Sequence, residues 1–312
     1  MAKLPNGSRQ DGGSGKTIAG FAVRCPKARP FDSGSGRHGA ARNGDGFVYA
    51  ANTQGYVDEA LASLASFRRF LPTAPVTILA PRALFVSGLP HVEWLELAGT
   101  YDSPIIKAEA IRAPYERTIF LDTDTRIIGD ISGLFDILDG FDMALVHEPT
   151  RGWDYETPAA RAFCELNTGV IAFRNTPEIK AFFGEWTSAY LRLRQAQGLK
   201  NDQPAFRETL WNSRTVRHAT LPSEYHFITG KGNSIAWDAL LLHGRQDLAR
   251  LEGLINRDLG PRSYEPAWGM LTSPSGRKQR LLVFLAIVRS FVSGLRTASA
   301  APARETPVTW WK

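Results

Sequence analysis

From Gly46 onward the chain alternates short runs of β-branched and aromatic residues with longer stretches of helical period, and this alternation narrows the fold more than any other feature. Strands are expected at Phe47–Asn52, Val76–Ala80, Val92–Leu97, Arg117–Leu121, Met143–His147, Val170–Phe173, Thr215–Leu221 and Ala239–His243. Helical patterns run from Val57 to Phe70, Ile105 to Ala113, Glu178 to Gln197 and Gln203 to Trp211. Such alternation predicts an α/β sheet, largely parallel and covered by helices on both faces. Ligands of such sheets bind outside the carboxyl ends of the strands, so Asn52-Thr53-Gln54 and Asp122-Thr123-Asp124 are expected on one rim.

The two ends have a different texture. Residues 1–45 are rich in Gly, Ser, Arg and Pro without apolar periodicity and read as a disordered basic tail. Within it, GGSGKT (Gly12 to Thr17) lacks the first glycine of a phosphate-binding loop, because Gln10 stands there, and no strand precedes it. The net charge of +6 is uneven: residues 1–45 carry +5 and residues 277–312 carry +6, which leaves −5 on residues 46–276. An acidic body argues against a nucleic-acid binder, whose positive charge belongs on the folded surface. The first residues show no apolar segment of a secretory signal, and no run reaches the length of a membrane span. With only Cys25 and Cys164, the composition fits a reducing compartment, giving an expectation of a cytoplasmic protein.

The run FLDTDTRIIGDI, Phe120 to Ile131, ends an apolar strand in two carboxylates. Residues i and i+2 of an extended segment point the same way, so Asp122 and Asp124 present like charges together. One would be driven toward protonation unless a cation lies between them. Mg²⁺ or Mn²⁺ answers this, since each accepts a few carboxylate oxygens together with phosphate oxygens. The bland alternative has Asp122 capping a helix and Asp124 making a turn.

Ser103 to Leu138 resembles the metal-binding region of family 8-like glycosyltransferases, nucleotide-diphospho-sugar transferases of the GT-A fold. The resemblance rests on Lys107, on Tyr115 with Arg117, on Thr118–Leu121 followed by Asp122 and Asp124, on Gly129-Asp130-Ile131 and on Leu134-Phe135. Asn167-Thr168-Gly169-Val170-Ile171, Asn201-Asp202-Gln203, and Leu221-Pro222 with Glu224-Tyr225 keep the family's order further along. The likeness spans Phe47 to Gly244. It implies one GT-A-type, Rossmann-like domain over residues 46–276, with a mostly parallel central sheet flanked by helices.

It also implies roles. Asp122 and Asp124 would hold Mn²⁺ or Mg²⁺, with Asp124 also near the ribose. Ala51, Asn52 and Thr53 would line the base, and Thr123 would lie against the donor. Lys107 would meet phosphate or sugar as a mobile point charge. Asn167, Asp202 and Gln203 would face the donor sugar near its anomeric carbon, the catalytic neighbourhood. For Lys107 the alternative is an exposed helix lysine, and for Asp202 an N-cap of the helix that follows. His243 is the candidate third metal ligand, although the Lys-Pro-Trp that the family places after its histidine is absent; Arg245 could replace that lysine as the diphosphate clamp.

His147-Glu148 could meet the acceptor or form a surface loop, and Trp153, Tyr155 and Trp237 could stack on sugars or simply pack. Residues 277–296 join an eight-residue apolar run to flanking arginines, which suits either a helix lying at the inner face of a membrane or one docked on the domain or in a dimer contact. The resulting expectation is a metal-dependent, retaining glycosyltransferase that uses a nucleotide-sugar donor, UDP-sugar foremost, and a saccharide or lipid-linked acceptor. The competing readings are a non-catalytic nucleotide-sugar-binding protein and a sugar-phosphate nucleotidyltransferase, though the Gly-rich signature of the latter is missing from AANTQGY.

Overall fold

In the computed structural model the described residues are 44–148, 155–231, 233–255 and 263–265. The basic tail expected over residues 1–45, apart from its last two residues, Trp153, and the segment 277–312 lie outside them.

Seven strands form the central sheet: β1 (Asp45–Ala50), β2 (Val76–Ala80), β3 (Val92–Glu96), β4 (Arg117–Leu121), β6 (Met143–His147), β7 (Leu166–Arg174) and β8 (His218–Leu221), with the short β5 (Thr125–Ile127) outside it. Their spatial order is β3-β2-β1-β4-β7-β6-β8. All neighbours pair in parallel except β7, which is antiparallel to both β4 and β6. The expected mixed α/β fold with a mostly parallel sheet is the fold found.

Both faces of this sheet are covered, which is why its strands are apolar runs without strict polar alternation. On one face Val48, Phe120, Ile171 and Phe173 pack with Phe182, Phe183, Trp186 and Phe206 from α3 (Pro177–Gln197) and α4 (Gln203–Asn212). On the other, Phe47, Tyr49, Ile119, Leu121, Val170 and Ala172 meet α1 (Gln54–Phe67) and the single turn α2 (Leu134–Ile137). Adjacent residues of one strand thus fall in opposite clusters, as the period of two requires. Thr53 and Thr176 cap α1 and α3 through their hydroxyls, Pro177 occupies the first turn of α3, and Gly198 (φ 69°) ends it in the left-handed region.

Several boundaries differ from the expectation. Pro104 to Arg112 is a 3₁₀ segment in place of an α-helix, held between Pro104 at its start and Pro114 just beyond its end, with Ile105, Ile106, Ala108 and Ala110 buried. The strand expected from Thr215 begins at His218, and that expected from Ala239 begins at Leu241. A second, three-stranded sheet had no expectation attached to it: β5, β11 (Leu241–His243) and β9 (Phe227–Ile228), in the order β5-β11-β9. Also beyond the expectation are the pair β10 (Asn233–Ile235) with β12 (Ser263–Glu265) and the helix α5 (Leu248–Leu254). These strands have two or three residues each, too few to display a period. No helix among the described residues is long and apolar enough to cross a membrane.

At the edge of the core, Arg117 is clamped by Asp45 through two hydrogen bonds of 2.7 Å, and it also reaches Asp139 at 2.9 Å and the Phe135 carbonyl at 3.1 Å. Both partners of the clamp are largely buried. Removing Asp45 leaves Arg117 with only the exposed Asp139 as an ion-pair partner among the described residues, a costly way to break a largely buried pair. Asp45→Ala is expected to lower the unfolding free energy by roughly 3 kcal/mol, read from urea denaturation.

Candidate functional site

The rim forms where the carboxyl ends of β1, β4 and β6 meet the beginning of β7. Because β7 runs against its neighbours, its first residues, Leu166 to Gly169, lie beside the last residues of β4 and β6. The Asp122 amide donates to the Gly169 carbonyl at 2.7 Å, which fixes Asn167-Thr168-Gly169 against the Asp-Thr-Asp run.

The second sheet brings the histidine. β5 continues directly from Asp124 and pairs antiparallel with β11, so that His243 lies opposite Thr125. The Gly244 amide donates to the Asp124 carbonyl at 3.0 Å. His243 Nε2 consequently lies 3.2 Å from an Asp124 oxygen and 3.6 Å from an Asp122 oxygen. One ligating atom from each of Asp122, Asp124 and His243 falls within 4.8 Å of the others. Two carboxylates and an imidazole fit a hard to borderline divalent cation such as Mg²⁺ or Mn²⁺. Gly169 makes the space: a Cβ there would sit 2.4 Å from His243 Cε1, 2.9 Å from its Nδ1 and 3.0 Å from Asn167 Oδ1.

Burial alone would raise the Asp124 carboxyl, but the hydrogen bond and charge of His243, with Arg245 beyond it, hold it down at about 2. Arg245 Nε lies 3.5 Å from Asp124, its guanidinium is also bonded to Glu59, and it sits 5.4 Å from the centre of the Tyr56 ring. Glu59 accepts from Thr123 Oγ1 at 2.8 Å as well.

Lys107 is buried, not an exposed helix lysine. Its Nζ is 3.1 Å from both oxygens of Asp122, 3.7 Å from Asp202 and 3.4 Å from the Thr168 carbonyl and hydroxyl. Burial works against the ammonium, yet Asp122 and Asp202 outweigh it and hold the Lys107 pKa above its ordinary value. Asp202 is buried too, and burial raises its carboxyl above the usual range despite Lys107 and a 2.7 Å hydrogen bond from Thr168. Its side chain does not cap α4: the backbone is helical there, and the Gln203 amide donates to Asn201 Oδ1 instead.

Glu148, weighed as an acceptor contact or a surface loop residue, is 1% exposed and works as a hub. It accepts from Asn167 Nδ2 at 2.7 Å, from Gln203 Nε2 at 3.0 Å and from Lys231 Nζ at 3.0 Å. Burial would raise its carboxyl, but Lys231 and the two amides more than offset that and leave it below the ordinary range.

Asn52, Lys107, Asp122, Thr123, Asp124 and Arg245 line one cleft, together with Tyr56 and the Asp102-Ser103-Pro104 turn. Asn167, Asp202 and Gln203 are buried, bonded to the residues behind it. Ala51 is buried beneath the rim and Thr53 caps α1. Tyr155 packs against the α3–α4 core cluster, whereas Trp237 is exposed. Sequence reasoning passed over Tyr56, Glu59, His226 and Lys231, and quoted Thr168 in the Asn-Thr-Gly run without giving it a role. Tyr56 and Thr168 stood near expected site residues; the others are joined to the site by tertiary contacts.

No protein-family model matches the chain, and no curated protein matches it in sequence. Among solved structures, the chain is similar to the galactosyltransferase LgtC, determined with donor and acceptor sugar analogues, at a TM-score of 0.50 and 11% identity over 65% of this chain and 87% of that one. It is also similar to the glycosyltransferase GlyE of Streptococcus pneumoniae TIGR4 (TM-score 0.45, 13% identity, covering 65% of this chain and 54% of that one). Mouse xyloside xylosyltransferase 1 matches at 0.43 and 13%, over 64% of this chain and 98% of its own. The chain thus spans just over half the length of GlyE. The likeness to LgtC shows the GT-A-type fold expected from the sequence.

Two outcomes follow from this geometry. Gly169→Ala displaces the His243 ring and is expected to weaken Mn²⁺ binding about tenfold or more in calorimetric titration, as loss of a supporting contact does at metal sites. The folded Asp124 value lies below the unfolded value near 4, so its stabilisation is complete above about pH 4 and is lost as pH falls through about 2. In the presence of a chelator, wild type should therefore lose about 2 kcal/mol more stability than Asp124→Asn between pH 5 and pH 2, measured by denaturant unfolding.

Proposed function

We propose that the protein is a metal-dependent glycosyltransferase that takes a sugar from a nucleoside-diphosphate donor, UDP-sugar first among them, and passes it to a saccharide or lipid-linked acceptor. The observation that carries this reading is the convergence of Asp122, Asp124 and His243 within 4.8 Å, on the rim of a GT-A-type sheet and beside a cleft lined by Lys107 and Arg245. LgtC, of similar fold, was solved with donor and acceptor sugar analogues, which supports a nucleotide sugar and a saccharide as the partners here.

Asp122, Asp124 and His243 would hold Mn²⁺ or Mg²⁺, whose charge neutralises that developing on a departing diphosphate. Asn52 donates to the Tyr101 carbonyl at the rim and, with Ala51 and Thr53, would line the base, next to Tyr56. Thr123 orders Glu59, which in turn holds Arg245 over Tyr56 at the cleft mouth. From there the guanidinium can turn to the diphosphate and stand in for the family's missing lysine. Lys107, fixed between Asp122 and Asp202, would meet phosphate or sugar with its ammonium.

Asn167, Asp202 and Gln203, buried behind the residues that line the cleft, would stand on the side of the donor sugar. Their polar groups are locked by Thr168, Lys107 and Glu148, so little reorganisation is needed when charge develops at the anomeric carbon. In retaining transfer the acceptor oxygen bonds to that carbon on the face the diphosphate leaves, and the acceptor proton passes to the departing phosphate oxygen. Calorimetric titration of UDP with and without Mn²⁺, followed by turnover of UDP-sugars, tests the reading. Binding should require the metal, and Asp124→Ala should weaken it by at least about a hundredfold, the upper end of what loss of a mere supporting partner costs. UDP binding that ignores Mn²⁺ and survives Asp124→Ala would refute it.

A further inference from the structure

His226 has no part in the reading above, yet it is fully buried directly behind the candidate metal ligand. Its Nε2 lies 2.8 Å from His243 Nδ1, and the two rings are 4.8 Å apart at an interplanar angle of 37°. Backbone pairing fixes this approach. His226 immediately precedes β9, and β9 runs parallel to β11 with Ile228 opposite His243. The Thr229 amide donates to the His243 carbonyl at 2.9 Å and fastens the far side of the same strand pair.

The two nitrogens of His243 are therefore divided. Nε2 faces Asp122 and Asp124, while Nδ1 faces a second imidazole. A neutral imidazole has one donor and one acceptor nitrogen, and a metal takes the lone pair of the acceptor. For Nε2 to serve a metal, the proton of His243 must reside on Nδ1 and find an acceptor.

We propose that His226 is a positioning residue for the metal site: its Nε2 accepts the hydrogen bond from His243 Nδ1–H and holds that ring in the tautomer and orientation whose Nε2 lone pair faces Asp122 and Asp124. A neutral residue does here what a carboxylate or backbone carbonyl commonly does behind a ligating histidine. A carboxylate in that position would add a third negative charge beside two aspartates, whereas an imidazole supplies the acceptor without one. The assignment also places the His226 proton on Nδ1, which has no hydrogen-bond partner among the described residues. A buried donor left unpaired is unfavourable. A metal on His243 Nε2 fixes the proton order of the pair: His243 Nδ1–H donates, and His226 keeps its own proton on Nδ1.

The inference rests on the metal-dependent reading, and one set of measurements separates the two. Mn²⁺ affinity is measured by calorimetry for wild type, His226→Leu and His226→Gln. Leucine removes the acceptor and should weaken Mn²⁺ binding about 10- to 100-fold, while the glutamine carbonyl can still accept and should recover most of that loss. Long-range ¹H–¹⁵N spectra of wild type saturated with Mg²⁺ and UDP should show His243 protonated at Nδ1, a result that does not depend on how any variant folds. Undiminished Mn²⁺ binding by His226→Leu overturns the role of His226 and leaves the metal site standing; a proton on His243 Nε2 in the Mg²⁺-loaded protein overturns that role too and removes His243 from the ligands, leaving only the two aspartates. Failure of wild type to bind Mn²⁺ at all overturns the metal-dependent reading and this inference with it.

Discussion

The ammonium of Lys107 holds the candidate site together. A charge this buried persists only where the surroundings compensate it, and here Asp122 and Asp202 do so. The three groups belong to different parts of the fold: the 3₁₀ segment Pro104–Arg112, the end of β4, and the start of α4. Thr168 from the antiparallel strand β7 closes the ring by donating to Asp202 and accepting from Lys107. Deleting Lys107 would leave two carboxylates facing each other without their cation, so local geometry at the rim is tied to the packing that buries it. Lys107 reaches both oxygens of Asp122, and one of the two also faces His243 at 3.6 Å.

A second buried centre repeats the logic with another charge pattern. Glu148 is the acceptor at its middle, and Lys231, Asn167 and Gln203 donate to it. Asn167 and Thr168 are adjacent on β7, so one strand feeds both centres. Asp202 and Gln203, adjacent at the start of α4, divide in the same way. The reversed direction of β7 makes this possible, because it brings the first residues of that strand to the rim where the parallel strands end. A parallel strand in its place would put its carboxyl end there, and the Asn-Thr-Gly run would lie at the opposite edge.

The large sheet was legible because its strands are long enough to show a pattern and its helices carry caps: β2, β4 and β6 match the expected spans residue for residue. The small sheet was not. Strands of two or three residues such as β5 and β9 have no period, and only the tertiary pairing defines them. His243 could be suggested from Leu241-Leu242-His243-Gly244, but what brings it to Asp124 is β5, which sequence reading passed over. The same limit hid Glu148: an acidic residue before a proline reads as surface loop, and its burial depends on Lys231, some eighty residues later. His226 gave no signal either, since an isolated histidine after a tyrosine has no spacing to interpret. Asp202 was a more instructive case. Its place before Gln203-Pro204 suggests an N-cap, yet the nearby ammonium and hydroxyl offer it stronger partners than two helix amides, and Asn201 does the capping.

The small sheet also explains why the third ligand can be so far away in sequence and still be placed accurately. β5 begins one residue after Asp124, so any strand paired to it in register is tied to the carboxylates by backbone hydrogen bonds. β11 is that strand, and the bond from the Gly244 amide to the Asp124 carbonyl locks the register at the position that matters. Gly244 adopts φ 143°, and a Cβ there would meet Thr229 Oγ1 at 2.3 Å, so the backbone can make this bond only without a side chain. Gly169 performs the matching task from β7 by leaving room for the His243 ring. Two glycines, one on β7 and one just after β11, thus clear the space in which two carboxylates and an imidazole meet, while large buried side chains such as Trp186 and Phe206 fill the core beneath.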